Sequence, residues 1–172
     1  WINLITDVFP ALAIGFEEPE WDVLKQPPES FARGAIDPER LGGLLRQSLV
    51  ITGGTLSSYI YGLLRYGIGP KANTQAFMTL STAQLLHSLS SRSRSSSLRN
   101  PRGPGPNRLL KATVVGSLAM QVAVALPGLR RVLGVTPLGP LDVLVILLSA
   151  VIPLLVNETL KDRDLAAESN ND

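Results

Sequence analysis

The sequence contains no cysteine, and charged side chains are scarce. Without cysteine the chain can form neither a disulfide nor a thiolate metal site, which also disfavours a transporter that passes a soft metal ion between cysteines. Asp, Glu, Lys and Arg make up 17% of the residues, whereas soluble domains hold roughly 25%. The shortage of charge favours a membrane protein, although mean hydropathy is only +0.20 because long polar stretches separate the apolar blocks.

Five apolar segments follow one another, at residues 1–16, 41–64, 74–89, 109–126 and 141–156. A membrane-spanning helix needs about 20 residues, at about 1.5 Å of rise each, to cross about 30 Å of hydrocarbon. The second, fourth and fifth segments come close to that length, whereas the first and third pass only if their polar residues face other helices. The predicted fold class is therefore all-α, a polytopic membrane helical bundle of about five transmembrane helices over residues 1–160. A polar cytoplasmic tail is expected at 161–172, and a soluble helical domain is the alternative.

The charge of the connecting segments predicts an orientation in the membrane. Twelve of the 16 Lys and Arg residues fall in residues 17–46, in 90–111 and from 157 onwards, and the other four fall in 65–73 and 127–140. Because positive charge accumulates on the cytoplasmic side, the first group is expected there, with the N-terminus near the outer face of the plasma membrane and the C-terminus cytoplasmic. The basic Ser/Arg-rich loop at 90–108 has no interleaved aromatic residue to stack bases, so we expect it to contact the lipid bilayer and no nucleic acid.

Three oxygen-bearing side chains share one helical face in the first segment. Asn3, Thr6 and Asp7 lie at i, i+3 and i+4, and an Asp inside an apolar span is by default a functional hypothesis. Pro10 has no N–H to donate to the carbonyl of Thr6, so a backbone oxygen would be free beside them. Hard oxygen ligands of this kind suit Ca²⁺, Mg²⁺ or alkali ions. The pattern predicts a metal site, and a buried capping cluster in a soluble helix is the alternative.

The run WINLITDVFPALAIGF, followed by Glu17-Glu18-Pro19 and Pro27-Pro28, resembles the sixth membrane helix and following loop of the type II P-type cation-transporting ATPases. The later segments are similar to helices seven to ten of that family in order and spacing. The resemblance implies that Asn3, Thr6 and Asp7 bind the transported cation, and Asn in the first place is more like the calcium pumps. Gln84 stands where two-site calcium pumps carry a Glu ligand. An amide there removes charge, which implies a site for a single divalent ion.

The function that the resemblance implies is the membrane portion of an ATP-driven cation pump. Ca²⁺ is favoured as the cargo, with Mn²⁺ or a monovalent ion left open. ATP and Mg²⁺ would be bound by other domains of the full-length pump, because no DKTG phosphorylation motif occurs in this sequence. Trp1, which is not Met, lies inside an apolar segment, so we expect the sequence to be a piece of a longer polypeptide that is inactive by itself. Its partners would be the bilayer and the remaining N-terminal part of the pump. A standalone non-catalytic helical membrane protein, or a remnant of a pump gene, is the rival hypothesis.

Polar residues elsewhere carry weaker expectations. His87, the only histidine, and Ser88 share a face with Gln84 and are expected to form hydrogen bonds between helices. Asp142 opens the fifth segment, where a carboxylate suits a helix N-terminus. The sequence Asn157-Glu158-Thr159 is expected to mark the water interface, and the polar chain beyond Thr159 is expected to fray.

Overall fold

The computed structural model describes residues 3, 6, 8–16, 38–90, 108–123 and 126–168, and within these ranges all regular structure is helical. The helices are α1 (Phe9–Gly15), α2 (Pro38–Tyr66), α3 (Pro70–Ser90), α4 (Arg108–Ala123), α5 (Pro127–Leu133) and α6 (Pro140–Glu168). The all-α fold class predicted from the sequence is confirmed at this level.

Four of these helices, α2, α3, α5 and α6, begin at a proline. A proline at the first helical position is preorganised for the helix, and the N–H that it lacks would have no intrahelical partner there. Glycine marks two of the ends. Gly67 follows α2 with φ at 74°, and Gly134 caps α5 with φ at 66°, both in the left-handed region that side chains rarely adopt.

Helix α3 lies at the centre of the packing. It contacts α2 and α6, which also contact each other, and on another side it contacts α4 and α1. Glycines allow the closest approaches of α2. A Cβ on Gly54 would overlap the Ser149 carbonyl oxygen of α6 and lie 2.6 Å from Pro153 Cγ. A Cβ on Gly62 would lie 3.0 Å from Ala72 Cα of α3. Small residues at helix contacts are typical of membrane bundles, where close backbone packing drives association.

One described helix is long and apolar enough by itself to cross a membrane, at Pro140–Lys161 with a mean hydropathy of 2.2. A second candidate arises only if Arg108–Val122 and Pro127–Leu133, which are bent by 88°, form one broken span. Helices α2 and α3, with 29 and 21 residues, are long enough but not apolar enough to qualify. The five-span arrangement therefore stays a prediction.

Two sequence-based predictions about local structure are wrong. The Gly/Pro-rich stretch 127–140 was expected to be a loop, but it contains α5, because Pro127 and Gly134 bracket about two turns of helix. The polar tail was expected to fray beyond Thr159, but α6 continues to Glu168. Seven of the nine added residues, LKDRDLAAE, are Leu, Ala, Lys, Arg or Glu, which have high intrinsic helix propensity.

Candidate ion-binding site

The backbone widens at the position where the sequence predicts a broken helix. Thr6 and Val8 lie in a wide π-type turn, and the regular helix α1 begins immediately afterwards, at Phe9. Pro10, which is buried, has no N–H to donate to the Thr6 carbonyl. Wide turns of this type release backbone groups from the regular helical ladder and often occur at functional sites. The wide turn thus lies at the position where Pro10 removes the regular helical donor for the Thr6 carbonyl.

Thr6 meets Gln84, a residue on α3 that is 78 positions away along the chain. The Thr6 side chain is buried, and its Oγ1 lies 3.4 Å from Gln84 Oε1. This separation fits a long hydrogen bond from the hydroxyl to the amide oxygen. It also suits a shared cation, because two oxygens bound at right angles to one Ca²⁺ at about 2.4 Å would be about 3.4 Å apart. The contact places two of the predicted ligands side by side.

Of the other two predicted ligands, the structure describes one. Asn3 belongs to a helical turn, and its side chain is exposed. Asp7 lies outside the described residues. In the part of the chain that the structure describes, no group of three or more His, Asp or Glu side chains is arranged to hold a metal ion. The part of the candidate site that the structure describes therefore consists of the Thr6 and Gln84 oxygens.

A buried polar face on α3 fixes the position of Gln84. Thr79 Oγ1 donates to Ser58 Oγ of α2 at 2.7 Å, and Gln75 Nε2 donates to the backbone carbonyl of Asp142 at 3.1 Å. Thr82 Oγ1 lies 2.9 Å from Gln121 Oε1 of α4. These contacts tie α3 to three neighbouring helices. The residues Gln75, Thr79 and Thr82 follow at i, i+4 and i+7, a helical spacing from which this face could have been recognised.

Asp142 anchors the beginning of α6. Its side chain is fully buried, and Oδ2 accepts a 2.7 Å hydrogen bond from the Gly139 N–H and another of 2.7 Å from the Tyr66 hydroxyl. Oδ1 accepts from the Tyr61 hydroxyl at 3.0 Å, and the Arg65 guanidinium lies 3.7 Å away. The bond to Gly139 agrees with the predicted role of a carboxylate at a helix N-terminus. The two tyrosines connect this cap to the end of α2.

A second buried polar cluster joins the far end of α6 to the end of α3. Lys161 Nζ lies 3.0 Å from Glu158 Oε1 and 2.9 Å from Ser90 Oγ, and Ser90 Oγ also donates to the Glu158 carboxylate. Asn157 and Glu158 are 1% and 4% exposed, so both side chains pack between helices, and their position at the water interface stays a prediction. Burial of Glu158 is tolerated because Ser90 and Lys161 compensate its charge, which burial without a partner would make very costly.

The lone histidine differs from its prediction. His87 is half-buried, and its Nδ1 is buried without a hydrogen-bond partner among the described residues. The expected bond to another helix is thus not formed through this atom. Ser88 Oγ donates to the Leu85 carbonyl of its own helix at 2.6 Å. On the same polar face, Gln84 contacts Thr6 in the turn before α1.

The described residues thus form a helical protein in which two oxygen-bearing side chains, those of Thr6 and Gln84, meet beside a break in the first helix. The family profile described as cation transporting ATPase, C-terminus, matches residues 1–162, and the chain belongs to this family. It is accordingly an integral membrane protein.

Individual relatives agree with the family. The chain is 33% identical over 178 residues to calcium-transporting ATPase 1 of Bacillus cereus, which covers 94% of this chain and 20% of that protein. It is 32% identical over 158 residues to a calcium-transporting ATPase of Bacillus subtilis, covering 89% of this chain and 17% of that protein. The human calcium-transporting ATPase type 2C member 1 is 31% identical over 148 residues, which cover 86% of this chain and 16% of that protein. The chain thus spans a fifth or less of the length of these relatives.

Proposed function

We propose that this chain forms the membrane portion of an ATP-driven cation pump and supplies part of its ion-binding site, with Ca²⁺ as the transported ion. The observation that carries the proposal is the 3.4 Å contact between the Thr6 and Gln84 oxygens, which joins the turn before α1 to α3. The relatives named as calcium-transporting ATPases support the choice of ion. Mn²⁺ and monovalent ions are the other candidates that the ligand chemistry allows.

The chemistry of these ligands favours one divalent ion. Thr6 and Gln84 offer neutral oxygens, and Asp7 adds one carboxylate from the same segment. Ca²⁺ takes six to eight oxygens, so the rest of the pump would have to supply further ligands. The exposed side chain of Asn3 would face the region from which those ligands come. A Gln at position 84 supplies an oxygen without a charge, so it does little to balance a second divalent ion. ATP and Mg²⁺ would bind to other domains, and this chain alone would not hydrolyse ATP.

The proposed arrangement in the membrane has five spans, with the N-terminus near the outer face and the C-terminus in the cytoplasm. The polar residues of α2 and α3 are compatible with spanning, because Thr79 and Ser58 bond to each other inside the bundle. In hydrocarbon, polar groups are tolerated where other helices satisfy them.

The test uses the full-length protein that contains this sequence, with Thr6→Val and Gln84→Leu as variants. Thr113→Val is the matched control, because the Thr113 hydroxyl is exposed and bonds to the Leu109 carbonyl of its own helix. Phosphorylation from ATP is measured against Ca²⁺ concentration. Losing one oxygen ligand, worth about 1–2 kcal/mol, is expected to raise the half-maximal Ca²⁺ concentration by about 5- to 30-fold. The control variant should match the wild type.

An unchanged Ca²⁺ dependence in Thr6→Val and Gln84→Leu would remove this pair from the ion site. Asp7→Asn is expected to abolish ion-dependent phosphorylation, because the site loses its charged ligand. Repeating the wild-type assay with Mn²⁺ and Na⁺ identifies the ion. If no ion supports phosphorylation from ATP, the rival hypothesis of a non-catalytic membrane protein is favoured instead.

A further inference from the structure

A groove of about 360 Å³ lies between α3, α4 and α6 and is bounded by α5 and residues 135–138. The described part of α4 runs from Arg108 to Ala123. Helix α5 then runs at 88° to α4. The space that a straight continuation of α4 would fill beside α3 and α6 is therefore left open.

The groove is apolar and reaches the protein surface. Ile146 and Thr82, on its inner side, are 5% and 4% exposed, whereas Val122 and Leu147, at its rim, are 73% and 48% exposed. In an integral membrane protein an opening between such residues can admit a lipid chain from the side.

Two polar groups in the groove lack partners. Arg130 is the one charged side chain among the described lining residues, and no carboxylate in the described ranges pairs with it. Gln121 is 4% exposed; its Oε1 lies 2.9 Å from Thr82 Oγ1, but its Nε2 is buried without a partner among the described residues. A buried N–H without an acceptor costs about 1–3 kcal/mol. The groove thus offers a positive charge and a hydrogen-bond donor, with no negative charge to oppose an anion.

We propose that this groove binds one phospholipid. Its acyl chain lies along the apolar surface of α4 and α6, its phosphate lies beside Arg130, and an ester carbonyl accepts the Gln121 Nε2 hydrogen. A phospholipid combines these features, because it has an apolar chain, an anionic phosphate and acceptor carbonyls. The polar contacts supply the selectivity. Lipid tails are as apolar as Leu, so an acyl chain gains little free energy by leaving its lipid neighbours for the apolar wall of the groove. The site goes beyond the proposed ion transport and does not depend on it.

The experiment is native mass spectrometry of the detergent-purified full-length protein, titrated with dioleoylphosphatidylglycerol. Arg130→Gln is expected to weaken binding of the first lipid at least about 5-fold, because a charge-assisted contact to phosphate is lost. Arg131→Gln is the matched control, since Arg131 is the next residue of α5, is exposed and does not line the groove. It should bind within about twofold of the wild type.

A second pair of variants tests the groove itself. Val122→Trp places a large side chain at the rim and is expected to abolish binding of the first lipid. Val115→Trp is its control, because Val115 is 66% exposed on the same helix, two turns away, and does not line the groove. Both positions are exposed, so neither change should disturb folding.

Equal affinity of Arg130→Gln and Arg131→Gln, or wild-type affinity in Val122→Trp, would overturn the proposal. Dioleoylglycerol, which lacks the phosphate, should bind more weakly than dioleoylphosphatidylglycerol, and equal binding would likewise overturn it. None of these experiments measures ion transport. A negative result would therefore refute the lipid site without bearing on the proposed pump function.

Discussion

Adjacent glycines in the middle of α2 provide a direct test of how the helices pack. A Cβ on Gly54 would overlap the Ser149 carbonyl oxygen and lie 2.6 Å from Pro153 Cγ, whereas a Cβ on Gly53 would meet nothing within 4 Å. Ser149 lies four residues before Pro153, so its carbonyl is the one that loses its helical donor. Helix α2 therefore packs closely against the turn of α6 that ends at Pro153, and only Gly leaves enough room there.

The expected magnitude follows from comparing Gly54→Ala with Gly53→Ala. Both substitutions gain about 1 kcal/mol of helix propensity, so this contribution cancels between them. Only Gly54→Ala forces the two helices apart, and overpacking of this kind costs about 1–3 kcal/mol. For a chain of this size, each kcal/mol lowers the melting temperature by about 2–4 °C. Gly54→Ala should therefore melt about 2–12 °C below Gly53→Ala.

The assay is the thermal stability of the detergent-purified protein, with the folded fraction after each heating step measured by size-exclusion chromatography. The wild type is run alongside, and Gly53→Ala is expected to melt at or above it. If Gly54→Ala melts at the same temperature as Gly53→Ala, the close contact between α2 and α6 does not exist and the reasoning is refuted.

Two further predictions concern the polar cluster on α6 and the orientation in the membrane. Lys161→Met removes one charged partner of the buried Glu158 carboxylate and is expected to destabilise the protein by up to about 3–5 kcal/mol. The double variant with Glu158→Gln should recover most of that loss in the same melting assay, and a double variant no more stable than the single one would contradict the pairing. This sequence has no cysteine, so Ser95→Cys and Gly128→Cys, placed in the full-length protein after replacement of any cysteine elsewhere, serve as single labelling sites for a membrane-impermeant maleimide on intact cells. Gly128→Cys should react from outside and Ser95→Cys only after the cells are opened, whereas the reverse pattern would contradict the proposed orientation.

Local features of this protein follow from short stretches of sequence. Proline at the first position of α2, α3, α5 and α6 and the carboxylate of Asp142 near the start of α6 depend on neighbouring backbone groups. The wide turn before Phe9 likewise follows from Pro10, a few residues away. Backbone hydrogen bonding in a helix extends over four residues, so short-range patterns are sufficient to predict these features. The all-α class follows from the same information.

Helix periodicity shows which residues share a face, but not which helix that face will meet. The spacing of Asn3, Thr6 and Asp7 indicated oxygen ligands, whereas the contact between Thr6 and Gln84 depends on how α1 docks against α3. Gln84 was identified beforehand only through a family resemblance, because no local pattern links it to Thr6.

The burial of polar residues at both ends of α6 and the groove beside α4 could not be predicted from the sequence, because both depend on tertiary structure. Glu158 lies in a polar stretch that resembles a helix end exposed to water, and its buried charge is compensated by Lys161 and by Ser90, which is 68 positions away along the chain. The groove exists because α5 turns by 88° after α4 ends. Both features arise from contacts between residues far apart in sequence, and their energies depend on distances and burial that exist only once the helices have packed.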